Sequence, residues 1–321
     1  MHNHNIAIID PTKSYARALA KKGTETDYTI YNYKEGENIL CLYEPHAYPD
    51  KIQSLLHCLY LSDYVVWVVD AINADFAEVA LALMLSGKNG LLILHGPDEG
   101  EISPILAKTP LWKWARMNQP NTNDLRATLL GKEPERSATA GQEKLAVVDA
   151  SFSVGGVGTV VLTKIESGTF SIHDEFEVTP SRKVSAIRSI QVQDVDVKEA
   201  PEGSRAGFAL KNIAAEEIKR GSYLAPAGTV SVFAGGQAVL EVSGLVKEPV
   251  ESDGEYFFSF GMQYAAAKIM TDKPIGAKDG PTQVPFSLVV EGAAREGQAF
   301  LMVRPSKRPR IIASGVFKKL G

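Results

Sequence analysis

The sequence predicts an α/β domain over residues 1–132 followed by two all-β barrels over residues 145–228 and 236–321. Three observations predict this. In the first third, apolar runs of strand length alternate with helix-period segments, the pattern of a parallel sheet covered on both faces. Beyond residue 145, short alternating strands recur at a spacing of roughly eight to twelve residues, with Gly-rich turns and almost no helical pattern, as in barrels or sandwiches. Between these regions, residues 131–143 (GKEPERSATAGQE) are polar and aperiodic and read as a linker. A second break is expected near residues 226–236, where Gly-Thr and Gly-Gly pairs separate the two β blocks.

Taken in order, residues 6–9 form a β-branched strand, and Pro11 then suits the first turn of a helix over residues 14–22. Residues 28–33 and 39–43 read as paired strands about the turn Lys34-Glu35-Gly36. An amphipathic helix follows over 51–61, a buried strand over 64–69, a helix over 75–85 closed by Gly87, and another buried strand over 90–94. In the last block, strands are expected over 238–245, 255–260, 286–290, 298–305 and 311–317.

Composition narrows the function classes. The 321 residues exceed one compact core, and 45% hydrophobic with 22% charged residues is ordinary globular usage. A net charge of -4 gives no global positive field, so nucleic acid can be held only by a local patch, and no DNA partner is expected. Two cysteines, Cys41 and Cys58, make no disulfide framework, and no Cys/His run has zinc spacing. The longest apolar runs fall far short of the roughly 20 residues that span a bilayer, and the first ten residues do not read as a leader. A cytoplasmic protein without metal or cofactor is expected. His57 lies in an apolar helix, and no G-x-S-x-G or paired-carboxylate arrangement stands out.

Residues 149–225 hold the most specific pattern. They contain Asp149-Ala-Ser-Phe-Ser-Val-Gly-Gly-Val-Gly-Thr-Val-Val, Gly168 with His173-Asp174, and Val184-Ser-Ala-Ile-Arg-Ser-Ile-Gln. Ala200-Pro-Glu-Gly-Ser-Arg-Ala-Gly-Phe-Ala-Leu-Lys and Arg220-Gly-Ser-Tyr-Leu-Ala follow. Gly156 and Gly158 suit a tight bend where barrel strands cross. In order and spacing this segment resembles the second domain of elongation factor Tu relatives, and among them the selenocysteine-specific factor, SelB. The resemblance implies a P-loop GTPase-like α/β domain followed by two barrels. It also implies a pocket for the aminoacyl end of a charged tRNA in which Asp149 and Arg188 take part. A turn-capping role for Asp149 and a surface-strand role for Arg188 stay open. Where SelB has a basic residue beside the aspartate, this chain has Ala150, which leaves a selenolate without a positive partner.

The family's nucleotide elements are degenerate. A phosphate loop needs the form G-x-x-x-x-G-K-[ST], whose amides cradle phosphate. Here Lys13 and Ser14 remain of the Lys-[ST] pair, Ala7 and Thr12 stand in the glycine places, Pro11 removes an amide, and Asp10 adds negative charge. In place of D-x-P-G-H the chain reads Leu42-Tyr43-Glu44-Pro45-His46, which keeps only His46, as a water-positioning remnant or an ordinary loop histidine. Of the guanine-reading N-K-x-D, only Asp98 matches, in His95-Gly96-Pro97-Asp98. The first switch is too short, because residues 23–28 run directly into a strand.

After Leu301 come Arg304, Lys307, Arg308, Arg310, Lys318 and Lys319 with no acidic residue. The first four are candidate RNA contacts on a strand–turn–strand that is similar to one in the family's third domain, with a solvated hairpin as the alternative. The expectation is a SelB paralogue without a working GTP site, binding tRNA, ribosomal RNA or a protein of translation. A GTPase with an altered site using Lys13, Ser14 and Asp98, or a protein-binding adaptor, is the alternative.

Overall fold

A computed structural model describes residues 2–132 and 143–321, so most of the expected linker 131–143 lies outside the described residues. Chain contacts divide the protein into two compact units, residues 1–135 with 304–312, and residues 136–303 with 313–321.

The first unit is built on one seven-stranded sheet. Its strands are β1 (His2–Ile9), β2 (Lys21–Glu25), β3 (Thr29–Glu35), β4 (Asn38–Glu44), β5 (Tyr64–Val69), β6 (Gly90–Leu94) and β7 (Ala115–Asn118). The sheet order is β2-β3-β4-β1-β5-β6-β7. Strands β4, β1, β5, β6 and β7 run parallel, while β2 and β3 form an antiparallel edge. The helices are α1 (Tyr15–Leu19), α2 (Ile52–Leu61), α3 (Ala74–Ser86), α4 (Glu99–Leu106) and α5 (Thr122–Leu130). Val65, Val66 and Val68 of β5 are fully buried, as continuous apolar central strands must be when both faces are covered.

Local chemistry sets the helix ends. The Asn73 side chain accepts from the Phe76 N–H at 2.9 Å and so caps α3, and Gly87 ends it in the left-handed region at φ 64°. The expected helix 14–22 is corrected to the five residues of α1, because Ala20 turns extended (φ -150°, ψ 162°) and the chain enters β2. That strand, Lys-Lys-Gly-Thr-Glu, is exposed at every position and fills the interval where a first switch would begin. The sheet is mixed because β3 pairs antiparallel with β4, the pairing expected for residues 28–33 and 39–43, and β2 extends that edge.

The second unit holds two barrels. The first is a closed ring in the order Glu175–Thr179, Tyr223–Ala225, Leu145–Val154, Gly158–Ser167, Arg205–Lys211, Lys183–Val192 and back to Glu175–Thr179. At the hairpin between its first two strands in the chain, Gly156 and Gly158 take φ values of 74° and 90°. The second barrel closes in the order Ser231–Val242, Thr282–Ala294, Gln263–Ile269, Tyr256–Phe260, Ala299–Val303 and Ile311–Leu320. Strand Ser231–Val242 crosses the expected break near 226–236. Phenylalanines fill this barrel. Phe317 stacks on Phe300 at 4.7 Å and meets Phe233, Phe260 and Phe286 edge-on or tilted at 5.2–5.4 Å. Among the described residues no helix is long and apolar enough to cross a membrane.

Phe317 is fully buried at the centre of this cluster, so Phe317→Ala is expected to destabilise the second unit by about 3–5 kcal/mol. Urea unfolding followed by near-UV circular dichroism checks this; a loss below about 1 kcal/mol would contradict the packing.

Candidate functional site

Ligands of parallel α/β sheets sit beyond the carboxyl ends of the strands. At those ends of β1, β4 and β5 lies a cavity of about 250 Å3 lined by Asp10, Lys13, Glu44, His46, Trp67 and Asp70, among others. It includes the loop between β1 and α1, where the sequence retains Lys13 and Ser14.

That loop is organised around its own carboxylate. Asp10 is buried, and its Oδ2 accepts from the backbone N–H of Ser14 (2.8 Å) and Tyr15 (2.9 Å). Its Oδ1 accepts from the Thr12 N–H at 2.8 Å and the Thr12 hydroxyl at 2.6 Å. The amides opening α1, which a phosphate-binding loop turns toward an anion, already meet a side-chain anion. Lys13 is held in the left-handed region at φ 54°, and its N–H donates to the Asp10 carbonyl at 3.1 Å. Both Lys13 and Ser14 are exposed.

The end of β4 is equally committed. His46 exchanges a hydrogen bond between Nδ1 and the Thr29 hydroxyl at 3.0 Å, turning toward β3. Glu44 is 4% exposed and accepts from the Tyr31 hydroxyl at 2.9 Å through Oε2, while its Oε1 has no partner. Burial pushes the Glu44 carboxyl above its ordinary range, and the Tyr31 hydrogen bond opposes this only in part. Burial, with the same hydrogen bond, pushes the Tyr31 hydroxyl up to about 12.

Asp98 lies beyond β6, apart from this cavity. Its Oδ1 accepts from the Glu101 N–H, and the Glu101 carboxylate accepts from the Asp98 N–H, both at 3.0 Å, a capping box for α4. The residue expected as a guanine-reading remnant is placed at a helix end.

The two aminoacyl-pocket candidates are not brought together. Asp149 is buried, and its Oδ2 accepts from Arg205 at 2.8 Å while its carbonyl accepts from Arg220 Nε at 3.0 Å. Arg188 is exposed, at a bulge in Lys183–Val192, with two strands of the ring between it and the strand of Asp149.

The four basic RNA-contact candidates lie in or beside the loop that folds with the first unit. Arg310 is almost fully buried and grips Glu78 of α3, with Nη2 donating to Oε1 at 2.6 Å and Nε to Oε2 at 3.0 Å. The Arg310 N–H donates to Glu78 Oε2 at 2.8 Å, and Nη2 also donates to the Pro49 carbonyl at 2.8 Å. Arg308 pairs with Asp75. Arg304 donates its backbone N–H to the Arg310 carbonyl at 2.7 Å, and Lys307 is exposed. Arg310 thus has no face to offer a phosphate. The sequence signal for this pair was Glu78 itself, a charge inside the apolar run of α3.

A family model described as elongation factor Tu domain 2 matches residues 158–225. An uncharacterized protein of Methanocaldococcus jannaschii is 30% identical over 317 residues, covering 98% of this chain and 99% of its own. Elongation factor 1-alpha of Pyrobaculum calidifontis is 26% identical over 187 residues, 56% of this chain and 41% of that factor, so the chain spans less than half of it. Among solved structures, the translation elongation factor SelB of Methanococcus maripaludis in its apo form superposes with a TM-score of 0.82 at 21% identity, over 100% of this chain and 81% of that one. The same factor with the GTP analogue GPPNHP gives 0.82 at 20%, over 100% and 80%. The fold is therefore the three-domain architecture of the elongation factor Tu type.

The buried pair supplies a stability test. Burial raises the Glu78 carboxyl, but hydrogen bonds and charge from Arg310, with Arg308 beyond, outweigh it and hold the group below its ordinary value. Arg310→Met, which leaves Glu78 buried and unpaired, is expected to cost about 3–5 kcal/mol at neutral pH by urea unfolding. A depressed acid loses its stabilising contribution as pH falls from its unfolded value, near 4.3, through its folded value, and in the variant burial alone raises Glu78, so the Arg310→Met penalty should shrink as pH falls, beginning above about pH 4.3.

Proposed function

Because the chain belongs to one family with the Methanocaldococcus jannaschii protein and has the fold of a translation elongation factor, we propose that it works in translation without binding or hydrolysing GTP. In this role it binds tRNA, ribosomal RNA or another translation component. The observation that carries the reading is Asp10, whose carboxylate takes the loop amides at 2.8–2.9 Å. A triphosphate entering there would have to displace a bound carboxylate and face Glu44 and Asp70 across the same cavity. The loss of backbone donors is compounded by Pro45 in the place of the phosphate-sensing glycine. With no phosphate to sense, β2 and β3 are a fixed sheet edge in the place of a switch.

Isothermal titration calorimetry with GTP and magnesium is expected to give no binding at micromolar concentrations, and a micromolar dissociation constant would overturn the proposal. For the RNA arm, a gel shift with bulk tRNA should weaken steeply with salt. Lys318 and Lys319 are exposed near the end of Ile311–Leu320, and their double replacement by Ala should lower the salt slope by roughly 1–2. Arg310 variants should leave that slope unchanged in folded protein.

A further inference from the structure

A second cavity, of about 560 Å3, lies at the amino ends of β5, β6 and β7, at the opposite end of the strands from Asp10. The end of α3 and a 3-10 turn, Pro110–Lys113, border it. Trp114 builds its wall on the α3 side. Ala115 pairs with Leu91, which packs in the core with Leu125 and Leu129 of α5, so Trp114, one residue earlier, projects from the other face of the sheet. Gly90 makes room for it there, since a Cβ at Gly90 would collide with Trp114 Cζ3 and Cη2. That edge of the six-membered ring lies on the start of β6, and the pyrrole ring is on the far side. Leu83 and Leu111, both buried, continue the wall.

Trp114 is 7% exposed, yet its indole N–H keeps open surface and meets no acceptor among the described residues. A buried indole usually finds a partner for that donor. The charge around the space is positive. Lys88, Lys113 and Lys132 line it against one carboxylate, Asp63, which accepts from Asn5 Nδ2 at 2.9 Å. Two of these lysines have duties in the fold. Lys88 donates to the Ser62 carbonyl at 2.6 Å, and Lys132 lies over Tyr64 with Nζ 5.5 Å from the ring centroid. Lys113 is exposed and makes no ion pair or hydrogen bond among the described residues.

We propose that this cavity binds a small organic anion, a carboxylate on a flat apolar body, with the carboxylate at the Trp114 N–H and Lys113 and the body against Leu83 and Leu111. A donor left without an acceptor specifies an acceptor in the ligand, and the lysines specify that it be charged. The apolar wall supplies contact area, and about 560 Å3 falls within the range of small-molecule sites. The site stands apart from the reading of the β1–α1 loop, because no residue of that loop lines it.

The test titrates the full chain with 3-phenylpropanoate by calorimetry, with 3-phenylpropan-1-ol and 3-phenylpropylammonium as neutral and cationic probes of equal length. The carboxylate should bind at least about tenfold more tightly than the alcohol, and the ammonium should not bind. In proton NMR the carboxylate should shift the Trp114 indole N–H resonance, identified by its loss in Trp114→Phe. Lys113→Gln should weaken the carboxylate by about tenfold and leave the alcohol unchanged. Lys113 is exposed, so its variant decides the matter if Trp114→Phe fails to fold. Equal affinity for carboxylate and alcohol, absence of carboxylate binding, an unmoved Trp114 resonance, or a folded Lys113→Gln protein with unchanged affinity would overturn the inference.

Discussion

The carboxylate of Asp10 governs the α/β unit's most family-specific region. A loop between a parallel strand and a helix must direct its first amides at something, because they have no partner within the helix. In phosphate-binding loops the partner is the ligand. Here the chain provides its own, with three backbone N–H groups and two hydroxyls converging on Asp10. The loop's first amides are satisfied from within the chain, and other groups at the strand ends are committed independently. His46 turns to Thr29, Asp98 caps α4, and an exposed strand occupies the interval after α1. None of these groups waits on a bound nucleotide to reach its hydrogen-bonded state.

The same economy appears at the charged residues that the resemblance marks out. Asp149 and Arg310 were expected from the sequence to meet a ligand, yet each forms a buried ion pair within its own unit. Arg205 and Arg220 close around Asp149, and Arg310 closes around Glu78. A buried pair is a weak source of net stability but a strong source of registry, since either charge alone is heavily penalised. Asp149 thereby fixes how three parts of the first barrel meet, and Arg310 fixes where its loop lies on α3. Arg188, by contrast, keeps an exposed guanidinium.

The sequence disclosed what rests on local periodicity. The apolar run of β5, the turn between β3 and β4, and the Gly87 stop of α3 were all legible, because each depends on neighbours in the chain. The early end of α1 was not. Ser14 to Lys22 has acceptable helical residues, and only pairing of Lys21–Glu25 with β3 explains why the helix stops at Leu19. An edge strand exposed at all five positions leaves no hydrophobic signature to read. Asp10 was legible as a charge hostile to phosphate, but its role as acceptor required the folded loop. The partners of Arg310 were hidden by distance, although a lone glutamate within an apolar helix announces that a cation must come from elsewhere.

That distance has a consequence for how the molecule is made. Glu78 and Arg310 are 232 residues apart, and the loop 304–312 belongs to the unit formed by the first 135 residues. During synthesis at roughly 5–20 residues per second, α3 leaves the ribosome long before its counter-ion exists. The amino-terminal sheet must therefore persist for at least ten seconds or so with a carboxylate still lacking its mate. That contact is installed only once residue 310 has emerged, so the early-born part of this unit is completed by its own late-born loop.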